Sequence, residues 1–289
     1  MLRNLTNKLA LGCLTLLITI PLYGAAMAGE QQNNADGDRP AWLPKFVTCS
    51  DSPLYIQSNM FAAIMNRQEE VISKLHPAPL IKSPNVYELE CGLLVKPWKY
   101  SPNGFIAVFE TTVLKPSGSG GASEEYRTIS VGLITVAKDG NSVSVDARTA
   151  QPYRLEQDVR FDRFDLAAYQ LSATETAFGL RTVKNTMYAG GGGADEYLEL
   201  FRVKDGAVVP ILSTLMKSTA LIAGEWRNDG TREHHDAGDE KGAFIRVLKV
   251  KTNGFFDFEK YVSSGKHAIF HWNGKAFATS DPDPLESVN

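Results

Sequence analysis

From Tyr87 onward, the hydrophobic pattern changes to one that is typical of β-strands. The segment Phe105–Leu114 is dense in β-branched and aromatic residues, and clusters of Pro, Gly, Asn and Ser bound it on both sides. Farther along, the segment Ala243–Val250 alternates between two sets of side chains with a period of two. Phe255–Val262 follows as another strand-like segment, and the pattern therefore predicts a chain made mainly of β-strands.

Three pairs of these strand segments are joined by short Asp-Gly or Asn-Gly turns. Such turns supply the positive φ angles that tight hairpins require. The pairs are Ile129–Val136 with Ser142–Ala147 around Asp139-Gly140, Tyr197–Val203 with Val208–Leu212 around Asp205-Gly206, and Ala268–Trp272 with Lys275–Thr279 around Asn273-Gly274. We therefore predict a mainly β fold, an antiparallel meander of hairpins that forms a sandwich or propeller-like sheets.

A run of four glycines, Gly190–Gly193, interrupts the middle of this pattern. Glycine runs have high conformational entropy in the unfolded chain, so the run predicts a mobile loop between two strands. Asp195 and Glu196 come directly after it and are candidate ligand-binding residues. The alternative is that the loop has no function beyond connecting the strands.

One amphipathic helix is predicted before the strands. Between Ser58 and Leu75, apolar residues recur at helical spacing, polar residues occupy the other side, and Pro77 ends the pattern. The apolar face of this N-terminal helix is expected to cover a sheet.

The first 28 residues have the features of a bacterial signal peptide. Arg3 and Lys8 precede the apolar run Leu9–Leu22, and Ala26-Met-Ala28 offers a small-x-small cleavage site before Gly29. The apolar run is shorter than a membrane span requires, so no stable membrane span is expected after cleavage. The sequence predicts a periplasmic or secreted protein.

The same reasoning divides the chain into five parts. Residues 1–28 form the signal peptide, 29–44 a flexible polar leader, 45–100 a segment with the helix, 101–280 the β-meander domain, and 281–289 a C-terminal tail.

Two cysteines, Cys49 and Cys91, remain after the signal peptide is removed. An exported chain meets an oxidising compartment, in which an even pair of cysteines favours a disulfide. The alternative is two separately buried thiols.

The charge of the chain argues against nucleic acid as a partner. The net charge is -3, and it becomes -5 after cleavage because Arg3 and Lys8 are the only charged residues removed. Proteins that bind nucleic acid need basic stripes, and no basic run is present.

No catalytic motif is assembled in the sequence. The Gly-x-Ser-x-Gly elbow of α/β-hydrolases is missing, and the glycine-rich segment after Leu114 lacks the Lys-Ser/Thr of a phosphate-binding loop. Candidate carboxylate pairs are Asp162 with Asp165 and Glu196 with Glu199, whose spatial separation would decide whether they act together.

Histidines give two further candidates. Asn228–Glu240 places His234 and His235 among carboxylates in one predicted loop, yet the spacing matches neither an EF-hand nor His-Glu-x-x-His. We interpret this segment as a solvated charged loop with His234 and His235 as candidate ligand-binding residues, and we predict neither a metal nor a cofactor. His267 and His271 fall on one face of the last long strand, where a structural role is favoured.

The segment Val131–Phe201 and the closing His271–Phe277 resemble a group of uncharacterised exported bacterial β-rich proteins. The shared features are Lys-Asp-Gly turns, Ala177-Phe-Gly-Leu-Arg181 and a glycine-rich stretch, all of which are packing signals. The resemblance implies a secreted β-meander, with propeller-like sheets as one form, and carries no activity or site residue. The calcium loops of integrin-type propellers are missing here.

These observations lead to three functional hypotheses. The first is a non-enzymatic exported β-protein that binds an envelope or extracellular protein or glycan. The second is an envelope hydrolase that uses paired carboxylates. The third is an inhibitor or immunity protein that inserts the loop near Gly190 or the one near His235 into a secreted lytic enzyme.

Overall fold

A computed structural model describes residues 63–64, 66–76, 87–115, 124–156, 158–188, 191–236 and 241–285. All of them belong to one compact unit that runs from Trp42 to Asn289. No helix in this described part is long and apolar enough to cross a membrane.

The described part consists of one helix followed by strands. The elements are α1 (Gln68–Leu75), β1 (Tyr87–Pro97), β2 (Gly104–Lys115), β3 (Glu124–Val136), β4 (Val143–Arg148), β5 (Tyr153–Arg154), β6 (Val159–Gln170), β7 (Thr176–Tyr188), β8 (Gly191–Lys204), β9 (Ala207–Trp226), β10 (Arg232–Asp236), β11 (Lys241–Thr252), β12 (Phe255–Val262), β13 (His267–Trp272) and β14 (Phe277–Ala278). The prediction of a mainly β fold with one short helix is confirmed.

The strands form three antiparallel meanders within one continuous 14-stranded sheet. The first meander is β1–β4, with β5 paired to β3; the second is β6–β9, with β10 paired to β9; the third is β11–β14. A single parallel pair, Arg148 with Ala207, joins the first meander to the second, and two pairs between β9 and β11 join the second to the third. The predicted antiparallel meander is therefore confirmed.

The predicted turns join the strands that they were expected to join. Lys204 pairs with Ala207 across a two-residue turn in which Asp205 and Gly206 both have positive φ. A further turn of this kind, Asn253-Gly254, connects β11 to β12. Its Asn-Gly dipeptide is the same signal as in the predicted hairpins.

Hydrophobic clusters pack the meanders against one another. Ile106, Val108 and Val131 of the first meander share a core with Phe178 and Phe201 of the second. The alternate residues of the second meander, such as Leu198 and Leu200, share another core with Phe258 and Trp272 of the third. Because successive side chains on a strand point to opposite faces, the second meander is covered on both sides.

Helix α1 covers the other face of the first meander. Val71 and Leu75 are buried, while Glu69, Glu70 and Lys74 are exposed. A Cβ on Gly132 of β3 would lie 2.3 Å from the Leu75 side chain, so glycine permits this close approach. The predicted start at Ser58 lies outside the described residues, and the predicted end at Leu75 is confirmed. The prediction of one continuous helix is wrong, because Asn66 and Arg67 form a turn and α1 begins at Gln68.

The glycine run is where the sequence-based prediction is wrong. Gly191, Gly192 and Gly193 lie inside β8 and pair with β7 on one side and β9 on the other. Residues without a β-carbon are poor strand formers in isolation, but here two flanking strands satisfy the backbone hydrogen bonds. Gly190 itself lies outside the described residues.

Two of the predicted segment boundaries fall inside packed structure. Strand β1 pairs with β2 from Tyr87 to Pro97, so residues on both sides of the boundary after Tyr100 build one sheet. In the predicted C-terminal tail, Leu285 is buried and Asp283 contacts Lys260 of β12. The predicted signal peptide and leader lie outside the described residues.

Candidate functional site

Asp195 and Glu196, the predicted ligand-binding residues, lie next to each other on β8 and both are bonded within the protein. The Asp195 carboxylate accepts a hydrogen bond of 2.7 Å from the Ser218 hydroxyl. The Glu196 carboxylate lies 2.6 Å from Nη2 of Arg163 and 3.1 Å from Nη1 of Arg181. Both side chains were predicted to border a glycine loop, but the described glycines before them, Gly191–Gly193, lie in β8.

Three of the four carboxylates considered as pairs from the sequence, Asp162, Asp165 and Glu196, are engaged by arginines, and the fourth, Glu199, is described below. Asp165 lies 2.6 Å from Nη2 of Arg181, and Asp162 pairs with Arg163. Together with Glu196, these residues form an ion network on the second meander. Such networks orient strands and neutralise charge, and they leave no adjacent pair of unpaired carboxylates here.

His234 and His235 lie on a strand, and not in a loop as predicted. Strand β10 pairs them with Ala223 and Ile222 of β9. Their side chains and residues 237–240 lie outside what the structure describes. The described parts of the glycine run and of the histidine segment, Gly191–Gly193 and Arg232–Asp236, lie in strands, while residues 189–190 and 237–240 lie outside the described residues. The inhibitor hypothesis therefore stays a prediction.

Within the described residues, no three His, Cys, Asp or Glu side chains are grouped closely enough to hold a metal ion. Cys91 lies on β1, and Cys49 lies outside the described residues. The predicted disulfide therefore stays a prediction.

His271 belongs to a small polar cluster on the third meander. Its Nδ1 atom lies 3.0 Å from Oδ2 of Asp257 and 3.2 Å from Oγ1 of Thr252. The Asp257 side chain is buried, whereas more than half of the His271 side chain is exposed. These two contacts fix the orientation of the imidazole. Within the described residues, His267 is not one of the hydrogen-bond partners of His271.

A small pocket lies between the segment Tyr153–Glu156 and the second meander. Its volume is about 80 Å³. The remaining lining residues come from four successive strands of the meander: Val159, Thr182, Tyr197, Glu199 and Ser213. The pocket therefore borders the core shared by the first two meanders, since Leu155 and Val159 belong to that core.

Glu199 is the buried charged group of this pocket. Its Oε1 atom accepts a hydrogen bond of 2.7 Å from the Ser213 hydroxyl, and Oε2 accepts one of 3.2 Å from the Tyr153 hydroxyl. A carboxylate offers about four acceptor positions, so two positions are occupied by these hydroxyls.

Burial raises the pKa of the Glu199 carboxyl above its usual value. The hydrogen bonds from Ser213 and Tyr153 stabilise the charged form and oppose this rise, while the nearby negative charge of Glu156 adds to it. Burial and the charge of Glu199 also raise the pKa of the Tyr153 phenol, which therefore stays protonated and donates its hydrogen bond.

Glu199 and Glu156 bring one buried and one exposed carboxyl group to the same pocket. This arrangement has the two acids that the hydrolase hypothesis requires. The pocket volume of about 80 Å³ is nevertheless far below the roughly 300–1,000 Å³ typical of small-molecule sites. The hydrolase hypothesis stays a prediction, and the pocket is better suited to holding a small group.

A second candidate surface lies on the third meander, and we name it the aromatic face. It consists of Phe244 and Arg246 on β11 and Tyr261 on β12, and Phe244 lies opposite Tyr261 in the pairing of the two strands. The Phe244 and Tyr261 rings stack with centroids 5.6 Å apart, and the Arg246 guanidinium lies 5.4 Å above the Tyr261 ring. Phe244 is 60% exposed, so this stack faces solvent.

Replacing Glu199 with glutamine is expected to change how stability depends on pH. Because the pKa of Glu199 is raised in the folded state, the folded chain binds more protons than the unfolded chain between the two pKa values. The free energy of unfolding of the wild type therefore contains a contribution that is present at low pH and is lost as the pH rises through the folded pKa. The free energy of unfolding of Glu199→Gln is measured in urea at pH values from below to well above 4.5, the ordinary pKa of glutamate. It should not show this loss of stability with rising pH.

The exposed Glu156 provides the matched control for that measurement. Glu156 lines the same pocket, and replacing it with glutamine removes an exposed carboxyl group instead of a buried one. Glu156→Gln should follow the wild type closely over the whole pH range. Parallel curves for wild type and Glu199→Gln would contradict the assignment of a raised pKa to Glu199.

In the sequence, Glu199 is a candidate only as the partner of Glu196. A signal was present, because Leu198-Glu199-Leu200-Phe201 places an acid inside an apolar run of a central strand, where a buried carboxyl needs partners. Tyr153 is 46 residues from Glu199 and gave no comparable signal, whereas Ser213 lies opposite Glu199 in the hairpin around Asp205-Gly206.

Comparison of the chain with protein-family models, with curated proteins and with solved structures returned no match.

Proposed function

We propose that this protein is an exported, non-enzymatic β-protein that binds an envelope or extracellular protein through the aromatic face. The observation that supports this most directly is the exposed stack of Phe244 on Tyr261 with Arg246 above it. Export is the part of the proposal that depends on the signal-peptide pattern of residues 1–28.

The composition of the aromatic face favours a protein partner. Aromatic residues and arginine are enriched in the buried centres of protein interfaces and dominate their binding energy. The Arg246 side chain is 63% exposed, and it pairs with Glu259 on the neighbouring strand. A partner that covers this surface would gain apolar burial from the ring of Phe244 and hydrogen bonds from the guanidinium of Arg246.

The rigidity of the surface also supports binding. Phe244 and Arg246 lie on a strand whose alternate residues, such as Ile245 and Val247, pack against the core that the second and third meanders share. Side chains that are already ordered lose less entropy when a partner binds. The aromatic face is therefore presented by a packed sheet, and not by a loop.

The proposal is tested by capture from an envelope fraction with the immobilised chain that lacks residues 1–28. We expect at least one protein whose recovery falls about tenfold or more with the double variant Phe244→Ser and Tyr261→Ser, since interface centres of this kind contribute about 2 kcal/mol or more. The partner is then purified, and its affinity for the wild-type chain and for the variant is measured directly.

Tyr100 provides the matched control, because it is another exposed aromatic residue that lies away from β11 and β12. Tyr100→Ser should leave recovery unchanged. Equal recovery with the wild-type chain and the double variant would contradict the proposal. A captured species that resists protease but is destroyed by periodate would show that the aromatic face binds glycan instead.

A further inference from the structure

Glu199 differs from the other buried carboxylates in what surrounds it. Four carboxylates are buried in the described part of the chain: Glu110, Glu199, Asp257 and Glu259. Glu110 lies 3.2 Å from Arg127, Glu259 pairs with Arg246, and Asp257 lies 3.0 Å from His271.

The contacts of Glu199 within the described residues are the two hydroxyls of Ser213 and Tyr153, and no basic side chain is among them. A buried carboxylate without a cationic partner is destabilised, because the protein interior solvates charge poorly. Hydroxyl groups compensate part of this cost, but they bring no positive charge. A cation placed beside Glu199 would supply the missing charge.

The pocket provides the space for such a cation next to this carboxylate, since Glu199 is one of its lining residues. Two of the roughly four acceptor positions on the carboxylate are not used by the hydroxyls, so an N–H donor can be accommodated. The exposed Glu156 at the same pocket adds a second negative charge, although Lys184 lies 3.9 Å from it in a solvent-exposed pair.

Aromatic walls favour an organic cation over a metal ion. Tyr153 and Tyr197 both line the pocket, and the faces of tyrosine rings attract ammonium groups. Arg154, which also lines the pocket, carries its guanidinium 3.9 Å above the ring of Tyr126 and is held there. The volume of about 80 Å³ is roughly half that of a cavity that holds a benzene ring, which leaves room for about three non-hydrogen atoms.

We infer that this pocket binds a primary ammonium group, with Glu199 as its counter-charge and Tyr153 and Tyr197 as its walls. The ligand class is a small primary amine or the end of a lysine side chain. This inference is independent of the aromatic face, because the two surfaces share no residue. Protonated Glu199 has no charge to offer, so binding should strengthen as the pH rises and this group ionises.

The test is a titration of the chain with methylammonium chloride at constant ionic strength, monitored at each concentration by ¹H–¹⁵N correlation spectra. We expect shift changes centred on Thr182, Tyr197, Glu199 and Ser213, and a dissociation constant on the order of 10 mM, since a ligand of two heavy atoms reaches little more. Nα-acetyl-lysine amide, which presents the same group at the end of a side chain, distinguishes a free amine from a lysine of a partner. Tighter binding of this compound would favour the lysine.

Glu199→Gln should weaken binding about tenfold or more, whereas Glu156→Gln, the exposed control at the same pocket, should weaken it only slightly. Methanol, a neutral ligand of the same size, should cause no comparable shifts. The pH dependence of binding to the wild type is a second measurement that does not require the variant to fold.

Three results would overturn the inference. One is a response to methylammonium that is scattered over the surface or is unchanged in Glu199→Gln. Another is binding that weakens as the pH rises. The third is an equal response to sodium or calcium chloride alone, which would identify the pocket as an inorganic cation site.

Discussion

Replacing Phe178 with alanine is expected to lower the free energy of unfolding by about 3–5 kcal/mol, the usual range for a buried phenylalanine. Phe178 is fully buried on β7 and lies in the core between the first and second meanders. Its ring stacks on Phe201 at 5.7 Å and meets Trp98 edge to face at the same distance. Alanine would leave a cavity that the two paired strands beside it cannot close, because their backbones are fixed by hydrogen bonds.

The free energy of unfolding of Phe178→Ala and of the wild type is measured in urea, with the midpoint and the slope fitted separately. Phe244→Ala is the matched control, since it makes the same chemical change at a residue that is 60% exposed. It should change the free energy of unfolding by less than about 0.5 kcal/mol, as is usual for surface substitutions. A cost below about 1 kcal/mol for Phe178→Ala would show that this core is not the principal contact between the two meanders.

The second large effect is expected where the C-terminal segment meets the third meander. The Lys260 side chain is completely buried, and its ammonium lies 2.6 Å from both carboxylate oxygens of Asp283 and 3.2 Å from the hydroxyl of Thr214. Asp283→Asn removes the negative charge beside a buried positive charge. We expect a loss of about 3 kcal/mol in the free energy of unfolding, as found when one member of a buried ion pair is removed.

The double variant Lys260→Met with Asp283→Asn separates the charge effect from lost packing. Removing both members of the pair avoids leaving the buried ammonium beside a neutral side chain at position 283, so the double variant should recover at least half of that loss. The exposed pair of Lys74 and Glu70 on α1 is the control, and Glu70→Gln should leave the urea midpoint unchanged. Additive effects at Lys260 and Asp283 would contradict a direct energetic coupling between them.

Local signals in the sequence were sufficient for most of the strands and their turns. Asp205-Gly206 and Asn273-Gly274 both lie at hairpin turns, because few other dipeptides tolerate the backbone angles that such turns need. Phe105–Leu114 lies within β2, as its content of β-branched and aromatic residues indicated.

Local signals do not determine the structure of the glycine run. Glycine has no strand preference of its own, yet Gly191–Gly193 is held as a central strand by β7 and β9. Strand β7 directly precedes the run, whereas the paired part of β9 is distant in sequence. The backbone hydrogen bonds to both strands override the local preference of glycine. For the same reason, His234 and His235 lie on β10, paired with the far end of β9.

By itself, the sequence determined the mainly β class, the antiparallel hairpins and the end of the helix, since these depend on side-chain periodicity and on turn geometry over a few residues. Only the tertiary structure decided which polar groups meet. Glu199 lies 46 residues from Tyr153 and 14 from Ser213 along the chain. The contact with Ser213 depends on the register shift between Leu200 and Phe201 in the pairing of β8 with β9. The contact with Tyr153 depends on how the segment after β4 crosses the second meander, and side-chain periodicity contains no information about that crossing.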